Sequence, residues 1–93
     1  MLTNTTGDRN TAIGASALNY NTTGSGNTAV GVGALVDNET GTNNTAIGRR
    51  ATVGNNNLDN ATAVGYRAIV LQSNSIQLGN SAVTTVFAGV GNA

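Results

Sequence analysis

Short apolar runs alternate with longer polar stretches along the chain, and one run returns at a fixed interval. The phrase Asn-Thr-Ala-Ile/Val-Gly, followed by a second run that begins with Ala, occupies residues 10–18, 27–35 and 44–51. Partial copies follow at residues 62–69 and 76–79. The glycines of these copies are spaced 17, 17, 17 and 14 residues apart and are predicted turn residues: Gly14, Gly31, Gly48, Gly65 and Gly79. Such a period is typical of a repeat protein.

Each unit predicts two short strands joined by a tight turn and closed by a polar loop. Thr, Ala, Ile and Val dominate the runs, helical spacing is not sustained, and the many Gly and Asn residues would weaken a helix. A unit this short favours a parallel β-solenoid in which each coil pairs with its equivalents above and below. The predicted fold class is all-β, with about five short coils.

The repeat also predicts the domain boundaries. A solenoid is expected over residues 1–80 and a cap or transition segment over 81–93, where Phe87 would cover the open end of the core and Val90 would join it. The solenoid units are 1–9 (partial), 10–26, 27–43, 44–60, 61–74 and 75–80 (the start of the last).

In-register stacking gives each repeated position a predicted direction, because successive side chains of a strand alternate between its two faces. If the large apolar side chains point into the coil, the threonines before them share that side and the alanines between them face outward. The predicted core is Ile13, Leu18, Val30, Leu35, Ile47, Val64, Ile69 and Leu78. The outward alanines would allow close approach of another chain and are the candidate trimer interface: Ala12, Ala29, Ala46 and Ala63.

Composition and charge exclude several function classes. Four Arg balance four acidic residues, so no net field favours nucleic acid or anionic lipid. The chain has no Cys and no His, which removes the usual zinc ligands, and the acids are scattered in predicted loops. We expect no enzymatic activity, no cofactor and no metal. No apolar run is long enough to span a bilayer, so membrane insertion is not expected, and an export signal or anchor is expected outside this sequence.

Three arginines are the candidates for contact with an anion or a glycan. Arg50 and Arg67 are one period apart and should stack as like charges on neighbouring coils, with Arg49 beside them. An anion or an acidic glycan could neutralise them, although two solvated arginines that splay apart would also satisfy the pattern.

The repeats resemble the head repeats of trimeric autotransporter adhesins of the YadA-like kind. The residues that carry the resemblance are NTAIG at 10–14, NTAVG at 27–31 and NTAIGRRA at 44–51. The segments NTTGSGN at 21–27 and SNSIQLGN at 73–80 are similar to the version found in phage and bacterial tail fibres. The resemblance implies a left-handed parallel β-roll, assembled as a parallel homotrimer, on a bacterial cell surface or a virion fibre.

The expected function is therefore a rigid head or shaft segment that presents polar loops for attachment to a host-surface glycan or protein. Two alternatives remain: an ice-binding solenoid and a filament-forming structural module. Ice binding needs a flat outward threonine array, whereas the Thr11 row is predicted to point inward. A hexapeptide-repeat acyltransferase is disfavoured because one hexapeptide per coil is too few and no catalytic His is present.

Overall fold

The computed structural model describes residues 4–87, which form a β-solenoid of about four turns rather than five. Within this range the chain is all-β and contains no helix. Five strands form one parallel sheet: β1 (Thr11–Ile13), β2 (Thr28–Val30), β3 (Thr45–Ile47), β5 (Thr62–Val64) and β7 (Ile76–Leu78). Two shorter strands, β4 (Thr52–Val53) and β6 (Ile69–Val70), form a second parallel sheet.

Equivalent residues of successive coils pair directly, which confirms the predicted ladders. Thr11 pairs with Thr28, and the same 17-residue register continues through β3 to β5. The last step is three residues shorter, yet Thr62 still pairs with Ile76. The deletion therefore falls in the connection between strands and leaves the register of the sheet intact.

The alanines of this sheet face the interior, which contradicts the predicted direction. Ala29, Ala46 and Ala63 are completely buried within the chain, and Ala12 packs against the same core. The four alanines therefore cannot form an external interface. The reason is the narrowness of the coil, whose interior also holds a second fully buried alanine row: Ala17, Ala34, Ala51 and Ala68. Because buried leucines also fill this interior, larger side chains at the strand alanines would overpack it.

The row of larger residues in the same strands faces outward, so the core prediction is wrong for most of it. Ile13 is 58% exposed and Leu78 is 49% exposed. Ile47 and Val64 are also exposed, and Val30 is half-buried in the same outward row. Because side chains alternate along a strand, burial of the alanine row places its neighbours on the outer face.

On the second side of the coil, the residue type decides the backbone conformation. Leu18 and Leu35 are fully buried, as predicted, and both have φ of +52°. The equivalent residues of the next coils, Thr52 and Ile69, are β-branched and strongly disfavour positive φ, so the chain forms β4 and β6 there instead. In β6, alternation leaves Ile69 exposed, against the prediction, and buries Val70, whereas both residues of β4 are buried.

Buried asparagines connect successive coils from within. Asn27 accepts a hydrogen bond from the backbone N–H of Asn44 at 2.9 Å, and its Nδ2 donates to the carbonyl oxygen of Gly41 at 2.8 Å. A second row repeats the arrangement, with Nδ2 of Asn38 donating to Oδ1 of Asn21 at 2.9 Å. Within the described residues, no buried side-chain nitrogen or oxygen lacks a partner. The interior is therefore part apolar and part hydrogen-bonded ladder.

The predicted turn glycines follow the strands of the larger sheet, and every one has positive φ: Gly14, Gly31, Gly48, Gly65 and Gly79. Glycine adopts positive φ more readily than other residues, which agrees with the predicted turns.

The structure describes only residues 81–87 of the predicted cap or transition segment, 81–93. Residues 81–87 contain no strand, and Phe87 is 68% exposed rather than covering the core. Val90 and the other residues beyond 87 lie outside the described residues, as do residues 1–3 of the predicted first unit. Over residues 4–87, no helix has the length and apolar character needed to cross a membrane.

Candidate functional site

The outer face of the larger sheet carries a continuous line of apolar side chains, which we call the apolar stripe. Its members sit at equivalent positions of β1, β2, β3, β5 and β7 and are Ile13, Val30, Ile47, Val64 and Leu78. Neighbouring strands are about 4.8 Å apart, so five residues extend over roughly 19 Å. A continuous apolar line on a flat sheet face is typical of an interaction surface.

A threonine row runs beside the apolar stripe on the same outer face. Thr11 is exposed, and the threonines that follow it are half-buried by their neighbours: Thr28, Thr45 and Thr62. The prediction that these threonines point inward is wrong, for the same reason that the alanine row is buried. The face therefore presents hydroxyl and methyl groups at regular spacing.

A groove on another side of the solenoid forms the second surface. It has a volume of about 580 Å³ and crosses four coils, and we call it the axial groove. Its lining residues include Tyr20 from the first coil, Asp37 from the second, and Arg50 and Arg67 from the third and fourth. Apolar side chains, including Val32 and Ile69, complete its walls.

The backbone register places Arg50 and Arg67 at equivalent positions of neighbouring coils, as the period predicts. Arg50 donates its backbone N–H to the carbonyl oxygen of Val32 at 2.8 Å, and Arg67 donates to that of Arg49 at 3.0 Å. The two arginines have nearly the same φ, +60° and +56°. Both side chains are exposed and line the axial groove.

Arg49 stands one position before Arg50 in the turn and lies outside the axial groove. Its guanidinium carbon lies 5.9 Å from the centre of the Tyr66 ring, and that of Arg67 lies 5.5 Å from the same ring. These are cation–π distances. Arg49 does not line the axial groove, so only Arg50 and Arg67 of the three predicted arginines belong to it.

The sequence pattern did not predict the other groove residues. Tyr20 and Asp37 occupy the same position of successive coils, three residues after the second alanine row, and Thr52 comes from the next coil. The period alone could have placed Tyr20 and Asp37 on one line. Their proximity to the arginine pair depends on how the turn that carries the arginines folds back over the coil. The 17-residue spacing of the sequence does not contain this information.

Among residues 4–87, no group of three or more His, Cys, Asp or Glu side chains could hold a metal ion.

Comparisons with protein-family models, with curated proteins and with solved structures find no match for this chain. Function is therefore inferred from the apolar stripe, the axial groove and the repeat itself.

Proposed function

We propose that the chain is a head or shaft segment of a trimeric surface adhesin or tail fibre, without enzymatic activity. Three chains lie parallel about a threefold axis as left-handed β-rolls, with their apolar stripes turned toward one another. The loops and axial grooves face solvent and contact a host-surface glycan or protein. This places the segment outside the cell, on a bacterial surface or a virion fibre. Chain number, handedness and setting follow the resemblance of the repeats to adhesin heads and tail fibres.

The apolar stripe is the observation that carries the proposal. Ile47 is 45% exposed in the single chain although it lies in the middle of a regular sheet, and the stripe continues on both sides of it. Burial of apolar area drives association, at roughly 25 cal/mol for each Å² removed from water. In a parallel trimer, the chains have the same coil spacing, so equivalent stripe residues of the three chains would lie at the same level along the threefold axis.

In-register hydrogen bonding supports the mechanical part of the proposal. Every coil donates and accepts backbone hydrogen bonds to its neighbours, and the asparagine rows add bonds from inside. Because each coil contacts only its neighbours, these bonds between successive coils are what would resist bending of the rod. A rod that presents the same surface three times can bind weakly at each site and strongly overall.

Replacement of Ile47 by Asp tests this role of the apolar stripe. In the proposed trimer, three carboxylates would be buried near the axis without partners, at a cost of several kcal/mol. We expect the variant to sediment as single chains at about 10 µM, where the wild type sediments as trimers. The measurement is analytical ultracentrifugation, with circular dichroism to confirm that the coil is still β-structured.

Leu71→Asp is the matched control. Leu71 is exposed, follows β6 and does not belong to the apolar stripe. We expect this variant to keep the mass of the wild type. If both variants remain trimeric, the stripe is not the contact between chains.

The threonine row favours ice binding as a second candidate. The regular outward hydroxyls and methyls could order water, and the same face cannot be buried in a trimer and bind ice. A monomeric chain with thermal hysteresis at micromolar concentration, lost in Thr45→Tyr, would establish ice binding in place of the trimer. A trimer without thermal hysteresis would exclude it.

A further inference from the structure

We propose that the axial groove binds an acidic saccharide, whose carboxylate is held by Arg50 and Arg67. The inference names a ligand class for the host attachment proposed above and rests on that function for its biological setting. The site itself is built within one chain, from residues of four coils.

The arginine pair supplies the anion-binding element. Equivalent residues of neighbouring coils are about 4.8 Å apart at the backbone, a spacing at which like charges repel. Within residues 4–87, neither guanidinium has a carboxylate partner, and Arg67 instead stacks on Tyr66. Arginine presents a planar fork of N–H donors that matches a carboxylate, so one bound carboxylate would neutralise the pair and accept bonds from both.

The walls of the axial groove suit the remainder of a sugar. Tyr20, Val32 and Ile69 are about half exposed and offer an aromatic ring and aliphatic surface to the apolar face of a pyranose. The Asp37 carboxylate can accept hydrogen bonds from sugar hydroxyls. The volume of about 580 Å³ lies within the range of roughly 300–1,000 Å³ that small-molecule sites generally have.

Asp37 also restricts the type of anion. A polyanion such as a nucleic acid would place several negative groups in the groove, and one of them would meet the Asp37 carboxylate. A ligand with one carboxylate and several hydroxyls satisfies both the arginine pair and the acid. This composition is that of sialic acids and of hexuronic acids, which share a carboxylate attached to a pyranose ring.

Titration of the intact chain by ¹⁵N NMR tests the proposal with two pairs of probes. The pairs are 3′-sialyllactose with lactose, and galacturonic acid with its neutral methyl ester. We expect at least one acidic probe to bind each groove with a dissociation constant on the order of 1 mM and to shift the amide signals of groove residues. Which of the two acids binds identifies the source of the carboxylate. The neutral partner of each pair should bind at least about tenfold more weakly.

Arg50→Gln and Arg67→Gln should each weaken binding of the acidic probe at least about tenfold, because each removes a charge-assisted contact. Arg9→Gln is the matched control, since Arg9 is also exposed and has a similar φ of +58° but does not line the groove. We expect it to leave binding unchanged. Both groove arginines are exposed, so their replacement should also leave the melting temperature within a few degrees of the wild type.

Three outcomes would overturn the proposal. The first is the absence of binding by both acidic probes. The second is equal binding by the neutral partners, which would make the site indifferent to charge. The third is equally strong binding of sodium acetate, which would leave an anion site without saccharide recognition. The mass of the particle separates these failures from a failure of the proposed function. A monomer that binds the acidic probe would support the saccharide site and contradict the trimeric rod. A trimer that binds neither acidic probe would support the rod and contradict the saccharide site.

Discussion

Gly31→Ala is expected to unfold the solenoid at a temperature far below that of the wild type. A Cβ at Gly31 would lie 2.7 Å from both the carbonyl carbon and the carbonyl oxygen of Gly48 on the next coil. The backbone there has φ of +129°, which residues with a side chain rarely adopt. The contact is with backbone, which cannot move without breaking the ladder. We expect a loss of at least about 3 kcal/mol in the free energy of unfolding.

Gly33→Ala is the control, two residues along the same turn. Gly33 has φ of +71°, and an added Cβ would meet only the flexible side chain of Arg50, at 3.5 Å. Ser16 and Arg67 occupy the equivalent position in other coils with φ near +60°, so this site accepts side chains. We expect a cost of about 1–2 kcal/mol. Thermal and urea unfolding at fixed chain concentration should separate the two variants, and equal losses would show that the close contact at Gly31 does not limit stability.

Asn27→Ala is expected to produce the second large loss of stability. The side chain is fully buried and supplies the acceptor for the backbone N–H of Asn44, which is itself buried. Without it this N–H has no partner and the contact to the Gly41 carbonyl oxygen is also lost. A buried unpaired polar group costs about 1–3 kcal/mol, and the cavity adds to it, so we expect a total of roughly 2–4 kcal/mol.

Asn57→Ala is the comparison for this substitution, because Asn57 is exposed in a loop. We expect its free energy of unfolding to stay within about 0.5 kcal/mol of the wild type. Urea denaturation followed by circular dichroism measures both. If Asn27→Ala were as mild as Asn57→Ala, the inner asparagine rows would add little to stability, and the apolar core alone would hold the coils together.

The 17-residue period was sufficient to predict the ladder but not the direction of its side chains. Alternation of side chains along a strand determines which residues share a face. Thr11 and Ile13 were therefore predicted to lie on the same face of β1, and they do. Alternation does not say which face is inside. Hydrophobicity favoured Ile13, whereas the space left beside the buried leucines and the second alanine row holds only alanine at this strand position. The width of a coil is a tertiary property, and the uniform size of the alanine row was the one sequence feature that reflected it.

On the second side of the coil, the sequence did contain a feature that distinguishes turns from strands. Leu18 and Leu35 can take positive φ and turn inward, whereas Thr52 and Ile69 are β-branched and form strands. The change from Leu to a β-branched residue at one position of the repeat therefore marks where the second sheet begins. The axial groove had no comparable signal, because it depends on how the turn that carries Arg50 approaches Tyr20.

The mass of the wild-type particle in solution tests the central claim most directly. Light scattering on a size-exclusion column, repeated from about 1 to 100 µM, should give a constant mass of three chains of 9.2 kDa each, with a β-rich circular dichroism spectrum on the same peak. Constant mass over this range would also exclude open-ended filaments, whose size grows with concentration. A well-folded particle of 9.2 kDa would contradict the account, because the apolar stripe would then remain uncovered in a stable monomer.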